Sequence, residues 1–281
     1  MREYDFPTVG TVLTASVQET LGTVTTTVDA ISTTALIREL DRINRQFIRA
    51  AHTKHDNKGW SWMEAVYNFK TYASTTLNGS VSASAASIIV TSGTNFLSGG
   101  GQFAIQTSKG LIDFVTYTAK ASNTLTTTAS TVNVAHSDAE ICDLLYDLPS
   151  DFAKEKWMIV NQSAYEYIKY SGNFPSFRQY TVYNGAILFP RNIGATDSTL
   201  VYDKQATDLN TGDESADQAL SMDIPTDFLR YAIESLNAYI FMKKRRREDA
   251  QISMQLAEQT LRDALSYDIN SSLNSGMKVS W

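Results

Sequence analysis

Few residues in this chain have types and spacing that could do chemistry. His52 and His55 stand at i and i+3 with Asp56 beside them, which on a helix would set two imidazoles on one face as metal ligands. No third ligand follows, and the run His52-Thr53-Lys54-His55-Asp56-Asn57-Lys58 reads as a solvated loop. Asp208, Asn210, Asp213 and Asp217 have the donor types of a calcium loop but miss the EF-hand spacing, so a solvated acidic loop is expected. Gly99-Gly100-Gly101 is followed by neither a helix nor a Lys, which does not suit a phosphate cradle. His136 with Cys142 and Asp143 could be imagined as a nucleophile pair, but a lone Cys near an exposed loop His is expected to be structural. No nucleophile elbow occurs, and no local pattern points to the paired carboxylates of a glycosidase. The sequence therefore predicts no catalytic residue, no cofactor and no metal.

The remaining chemistry is charge and apolar anchoring. Lys243-Lys244-Arg245-Arg246-Arg247 is the one dense basic run, and Glu248-Asp249 follow it at once. The chain's net charge of −6 excludes a conventional nucleic-acid binder, which would carry a basic balance or a broad basic face. The run is expected in the middle of a helix, as an inter-subunit or channel contact: a solvated or salt-bridged face, or a contact with an acidic neighbour or passing DNA. Met277, Val279 and Trp281 alternate at the end of the sequence, so an extended strand would put all three on one face for a partner to bury.

Composition bounds the class. Residues are 43% hydrophobic, enough for a core at this length, and only 19% charged, with Ser, Thr, Asn and Gln filling the gap. That bias suits β-rich surfaces and surfaces that other subunits cover. A single Cys142 excludes an intrachain disulfide and a CxxC site. Met1-Arg2-Glu3-Tyr4-Asp5 leads into no apolar run, so no secretory signal is expected, and no apolar stretch approaches the roughly 18 residues that span a bilayer.

The elements that must position these residues follow from periodicity. Val12, Leu13, Val17 and Leu21 predict a short helix ending at Gly22, and 23–28 is ambiguous. Leu36, Ile37, Leu40, Ile43, Phe47, Ile48 and Ala51 form one stripe from Ser32 to about Ala51, with Ser32 or Thr33 as N-cap. From about Ala73 to Glu140 the texture turns Ser/Thr/Ala/Gly-rich, with β-type runs at 87–91, 102–106, 112–118 and 124–128 between turn residues. It reads as an inserted all-β module that should fold separately. Read as a carbohydrate-binding module it is poor in aromatics, with no Trp and Tyr117 as the only Tyr between 75 and 140. Pro149-Ser150-Asp151 marks a helix or turn entry, and Trp157, Ile159 and Val160 are expected to be buried. Asn184-Gly185 between two apolar runs predicts a hairpin over 179–189, because a type I′ turn needs φ > 0 at both central residues. A third strand is expected at 199–202. From Pro225 one stripe runs to about Tyr267, a helix of roughly 40 residues and about 60 Å, with a polar tail from Asn270.

Several segments, in order, resemble the head-to-tail adaptor (head-completion) proteins of tailed bacteriophages. These are the early helix with Trp60-Ser61-Trp62-Met63, then Tyr146-Asp147-Leu148-Pro149-Ser150-Asp151-Phe152, then the hairpin Tyr180 to Pro190, and last Ile224-Pro225-Thr226-Asp227-Phe228 opening the long helix. The module at 73–140 departs from the simplest members. The resemblance implies an α+β fold with a helical core, a small antiparallel sheet, a long C-terminal helix and the inserted module. The expected division is residues 1–72 and 141–267 as the two halves of the core, 73–140 as the module and 268–281 as the tail. It further implies a virion protein of the neck, made in the host cytoplasm, forming a ring of about twelve copies under the portal. Its partners would be the portal, a tail or nozzle protein, and double-stranded DNA passing without specific binding, with no membrane. The alternatives are a stopper, tail-completion or collar protein and, further off, a tail-associated cell-wall hydrolase.

Overall fold

Two periodicities divide the chain. The computed structural model describes residues 4–21, 31–54, 59–107, 111–190 and 193–275. It forms two compact units, one of Met1–Glu64 with Asp203–Trp281 and one of Ala65–Tyr202.

The first unit is helical, with α1 (Val9–Leu21), α2 (Thr33–Lys54), α3 (Glu214–Ala219), α4 (Leu229–Lys243) and α5 (Arg247–Ser275). The predicted stripe of α2 is its buried face: Leu36, Ile37, Leu40, Ile43, Phe47, Ile48 and Ala51 all join the core. Ser32 caps the helix, its hydroxyl accepting from Ala35 N–H at 3.2 Å. Trp60 and Trp62 anchor the core by stacking. Phe47 lies 4.7 Å from Trp60, and Trp60 lies 4.6 Å from Trp62. The indole N–H groups donate to Phe47 O and Asp223 O, so no indole donor is stranded in the apolar interior. Asn44 is wholly buried and bridges to Asp223 through its side-chain amide in both directions, at 2.8 and 2.9 Å.

The expected 40-residue helix is two helices folded into an antiparallel hairpin. Phe228, entering α4, meets Tyr267 near the far end of α5, with ring centroids 5.8 Å apart. Ala250, Ala257 and Ala264 recur every seven residues on α5 and are buried; their small side chains let the two helices approach. α5 also continues to Ser275, where a polar non-helical tail was expected from Asn270.

The second unit is built on sheets: β1 (Glu64–Thr71), β2 (Thr75–Thr76), β3 (Ser87–Ile89), β4 (Gly101–Gln106), β5 (Ile112–Ala121), β6 (Thr124–Thr127), β7 (Ile141–Leu144), β8 (Tyr146–Asp147), β9 (Phe152–Val160), β10 (Ser163–Tyr167), β11 (Gln179–Tyr183), β12 (Ala186–Leu188) and β13 (Thr196–Lys204). One sheet has seven strands in the order β1-β13-β9-β10-β11-β12-β8, the other six in the order β2-β7-β4-β5-β6-β3. β10 and β11 run parallel, while β9/β10, β11/β12 and β12/β8 are antiparallel. Asn184 (φ 50°) and Gly185 (φ 77°) form the predicted two-residue turn, which pairs Tyr183 with Ala186.

These sheets overturn the expected fold class. The chain is sheet-rich, not a helical core with a small antiparallel sheet, and the sheets build a unit with cores of their own. The strands that the sequence reading passed over, β1, β9 and β10, do alternate. Ala65, Tyr67, Phe69, Met158, Val160 and Tyr165 point to one core. Glu64, Lys70, Lys154, Glu155 and Lys156 between them break up any long apolar run. The same alternation puts Trp157 and Ile159, expected to be buried, on the exposed face beside buried Val160. The six-stranded sheet also reaches past 140, since β7 pairs with β4 from Phe103↔Leu144 to Gln106↔Ile141. Ala104 shares a core with Leu145, Ala186 and Leu188, so this sheet packs on the hairpin β11–β12.

Candidate functional site

The five cations of the basic run meet at the tip of the α4–α5 hairpin, not in the middle of a helix. Arg246 N–H donates to Phe241 O at 2.9 Å, and Arg245 N–H to Met242 O at 3.1 Å. With Arg245 at φ 60°, this is a Schellman cap. Arg246, just before α5, accepts from Ala250 N–H through its carbonyl at 3.1 Å. The reversal sits where glycine is the usual residue, because a Cβ at positive φ costs roughly 1–2 kcal/mol. No Gly or Pro in the run announces it, which is why periodicity reads straight through.

The turn sorts the cations. Lys243 Nζ lies 5.3 Å from the Tyr239 ring centroid, at the C-terminal end of α4 where a cation is favoured. The Arg246 guanidinium lies 4.6 Å from the Phe241 centroid and its Nε donates to Asp249 Oδ2 at 2.6 Å. Among the described residues no ion pair joins Lys244, Arg245 or Arg247 to a carboxylate. Residues 243–249 sum to five cations less two carboxylates, +3, in a chain of −6.

The other candidate residues separate. Asp208 pairs with Arg45 at 3.4 Å, Asp213 caps α3 by accepting from Ser215 and Ala216 N–H, and buried Asp217 accepts from Thr211 N–H and hydroxyl at 2.9 and 2.6 Å. The Thr211 hydroxyl is the main reason the Asp217 carboxyl sits below its usual pKa. The acidic segment is thus a self-capped turn, with its buried Asp217 no part of a solvated loop. His52 lies on α2, and His55 lies outside the described residues, as do Met277, Val279 and Trp281. Gly100 and Gly101 lie where a Cβ would strike the Tyr117 carbonyl or ring, so the glycines serve a close strand approach.

His136 is not on an exposed loop. Its ring is fully buried, with Nε2 3.1 Å from Asp113 Oδ2 and Nδ1 2.8 Å from Glu140 Oε2. Asp113 Oδ2 also accepts from Asn133 N–H at 2.8 Å. Cys142 is buried nearby, its Sγ directed at Glu140 O, and burial pushes its thiol far above the ordinary range, which makes it a poor nucleophile. The His136–Glu140 spacing was visible in sequence, but Asp113 comes from β5 and nothing local connects it to them. Also missed was an aromatic trio in which Phe114 lies 4.3 Å from Tyr183 and Tyr183 lies 4.5 Å from Tyr170. Among the described residues no group of three or more His, Cys, Asp or Glu is arranged to hold a metal ion, and no helix is long and apolar enough to cross a membrane.

No known protein-family model matches the chain, and no curated protein matches it.

Proposed function

We propose that the chain is a structural protein of a tailed-phage virion, a ring-forming head-to-tail adaptor that docks under the portal, joins it to the tail and forms part of the DNA channel. The observation that carries this reading is the outer side of the α4–α5 hairpin. Ile252 and Leu256, one turn apart on the same face of α5, are 56% and 42% exposed. Apolar side chains gathered on one long helix call for a cover. Further copies of the same chain, in head-to-tail contacts that close, would supply it in a ring of about twelve. The order of segments shared with phage adaptors supports the same reading. So does the alternating Met277, Val279 and Trp281, an anchor that a portal groove would bury.

Electron microscopy and native mass spectrometry of the purified protein test assembly. Closed rings are expected, and Ile252→Asp with Leu256→Asp should leave helical, monomeric protein. Truncation after Ser275 should abolish attachment to portal-bearing heads while rings still form. A chain that stays monomeric at every concentration and never attaches to such heads would sink the proposal.

The two large sheets favour a second reading, another neck or tail component such as a stopper, tail-completion or collar protein. Crosslinking in assembled particles decides between them: an adaptor crosslinks to the portal, a tail-completion protein to the tail alone.

A further inference from the structure

We propose that the α4–α5 tip is a contact for the phosphate backbone of duplex DNA, with Lys244, Arg245 and Arg247 as the contacting residues. This deepens the channel role above and rests on it only for its biological setting. On a straight helix, five consecutive cations point in five directions at 100° steps. The Schellman turn instead gathers them at one end of the hairpin. Two are held in place, Lys243 against Tyr239 and Arg246 between Phe241 and Asp249. The other three have no ion-pair partner among the described residues and remain to meet an outside anion.

The conformation of Arg245 adds to this. Glycine would relieve the φ of 60° at the turn, yet the position holds a guanidinium. Guanidinium forks match phosphate oxygens bidentately. The surface is also wrong for a protein partner: apart from Met242, the exposed side chains from 242 to 249 are all charged, without the apolar or aromatic centre of a protein interface. Phosphate contact needs only cations, and it holds DNA without reading sequence. The net charge of −6 keeps the contact weak in one copy, so DNA would slide and not stick.

The test is fluorescence anisotropy of the full chain with a labelled duplex of about 20 base pairs, across about 20 to 200 mM salt. Three phosphate contacts predict a slope of log K against log salt of about −2.7, with binding at low salt and none resolved at physiological salt. Lys244→Gln, Arg245→Asn and Arg247→Gln together should abolish binding; Asn tolerates the positive φ, so the turn survives. The control Arg38→Gln, Arg49→Gln and Lys169→Gln makes the same net-charge change at other exposed positions and should retain the wild-type slope. Equal loss in both triple variants would overturn the proposal, because overall charge would then be responsible. So would tip-dependent binding of poly-glutamate with none of the duplex, which would assign the tip to an acidic protein. Ring formation is read separately by microscopy, so either idea can fail without the other.

Discussion

At the residue scale, His136 is held from both sides of its ring. Both ring nitrogens face carboxylate oxygens with no water-accessible surface on the ring. Replacing it with Leu would leave Asp113 and Glu140 facing a hydrocarbon. Leaving a buried polar group without its hydrogen-bond partner costs about 1–3 kcal/mol, and more for a charged group. Urea unfolding of His136→Leu should therefore show a loss of that order, and a loss under about 1 kcal/mol would mean the cluster is not holding the sheet. Tyr202 is one of several tyrosines, Tyr146 and Tyr180 among them, whose raised hydroxyl pKa bears on alkaline stability. The Tyr202 hydroxyl is pushed up to about 12 by burial, helped by its 2.8 Å hydrogen bond to the Asp151 carboxylate. A folded-state pKa raised above an unfolded value of about 10 contributes stability that is complete below pH 10. That stability is lost as pH climbs to about 12. Tyr202→Phe should flatten this part of the stability–pH curve, measured by chemical denaturation between pH 9 and 12.

At the element scale the α4–α5 hairpin depends on small side chains. Ala257 is buried in the first unit's core on the face of α5 that meets α4. Ala257→Leu adds three heavy atoms where a seven-residue alanine repeat sets the helix spacing, and overpacking of this kind costs about 1–3 kcal/mol. The variant should lose thermal stability while keeping its helical circular dichroism. An unchanged melting temperature would show that the interface has slack, and would weaken any account of the tip that needs a rigid hairpin beneath it.

At the scale of the whole molecule, the helical unit is made from the two ends of the chain and the β unit from its middle. β1 and β13 are sheet neighbours. Thr71 hydroxyl donates to Gly194 O and Thr196 O, and Thr199 hydroxyl donates to Asn68 Oδ1, so the two strands run antiparallel. Their outer ends, near Glu64 and Asp203, therefore lie across from each other. Excising residues 65–202 with a short Gly/Ser bridge should leave a folded helical protein, because its core cluster draws no member from 65–202. Excising only 73–140 should do worse. It removes the partners of β7 and strips Ala104 and Phe114 from the core they share with Ala186 and Leu188. Circular dichroism and solubility of the two deletions rank them, and the reverse order would show that residues 73–140 fold apart from the rest.

What the sequence settled alone was local. The α2 stripe and its Ser32 cap, the Asn184-Gly185 turn, and β4, β5 and β6 all followed from side-chain period and turn chemistry within a dozen residues. The tertiary structure decided whatever depended on partners far along the chain. Strands β1, β9 and β10 became one sheet only by pairing across most of the β unit, where interleaved charges had hidden their alternation. His136 became buried because Asp113, 23 residues away, and Glu140 satisfy both its nitrogens. The basic run became a tip because Arg245 accepts a positive φ once α5 can fold back onto α4. That cost is local, but its compensation is buried helix–helix surface, which no window of sequence contains.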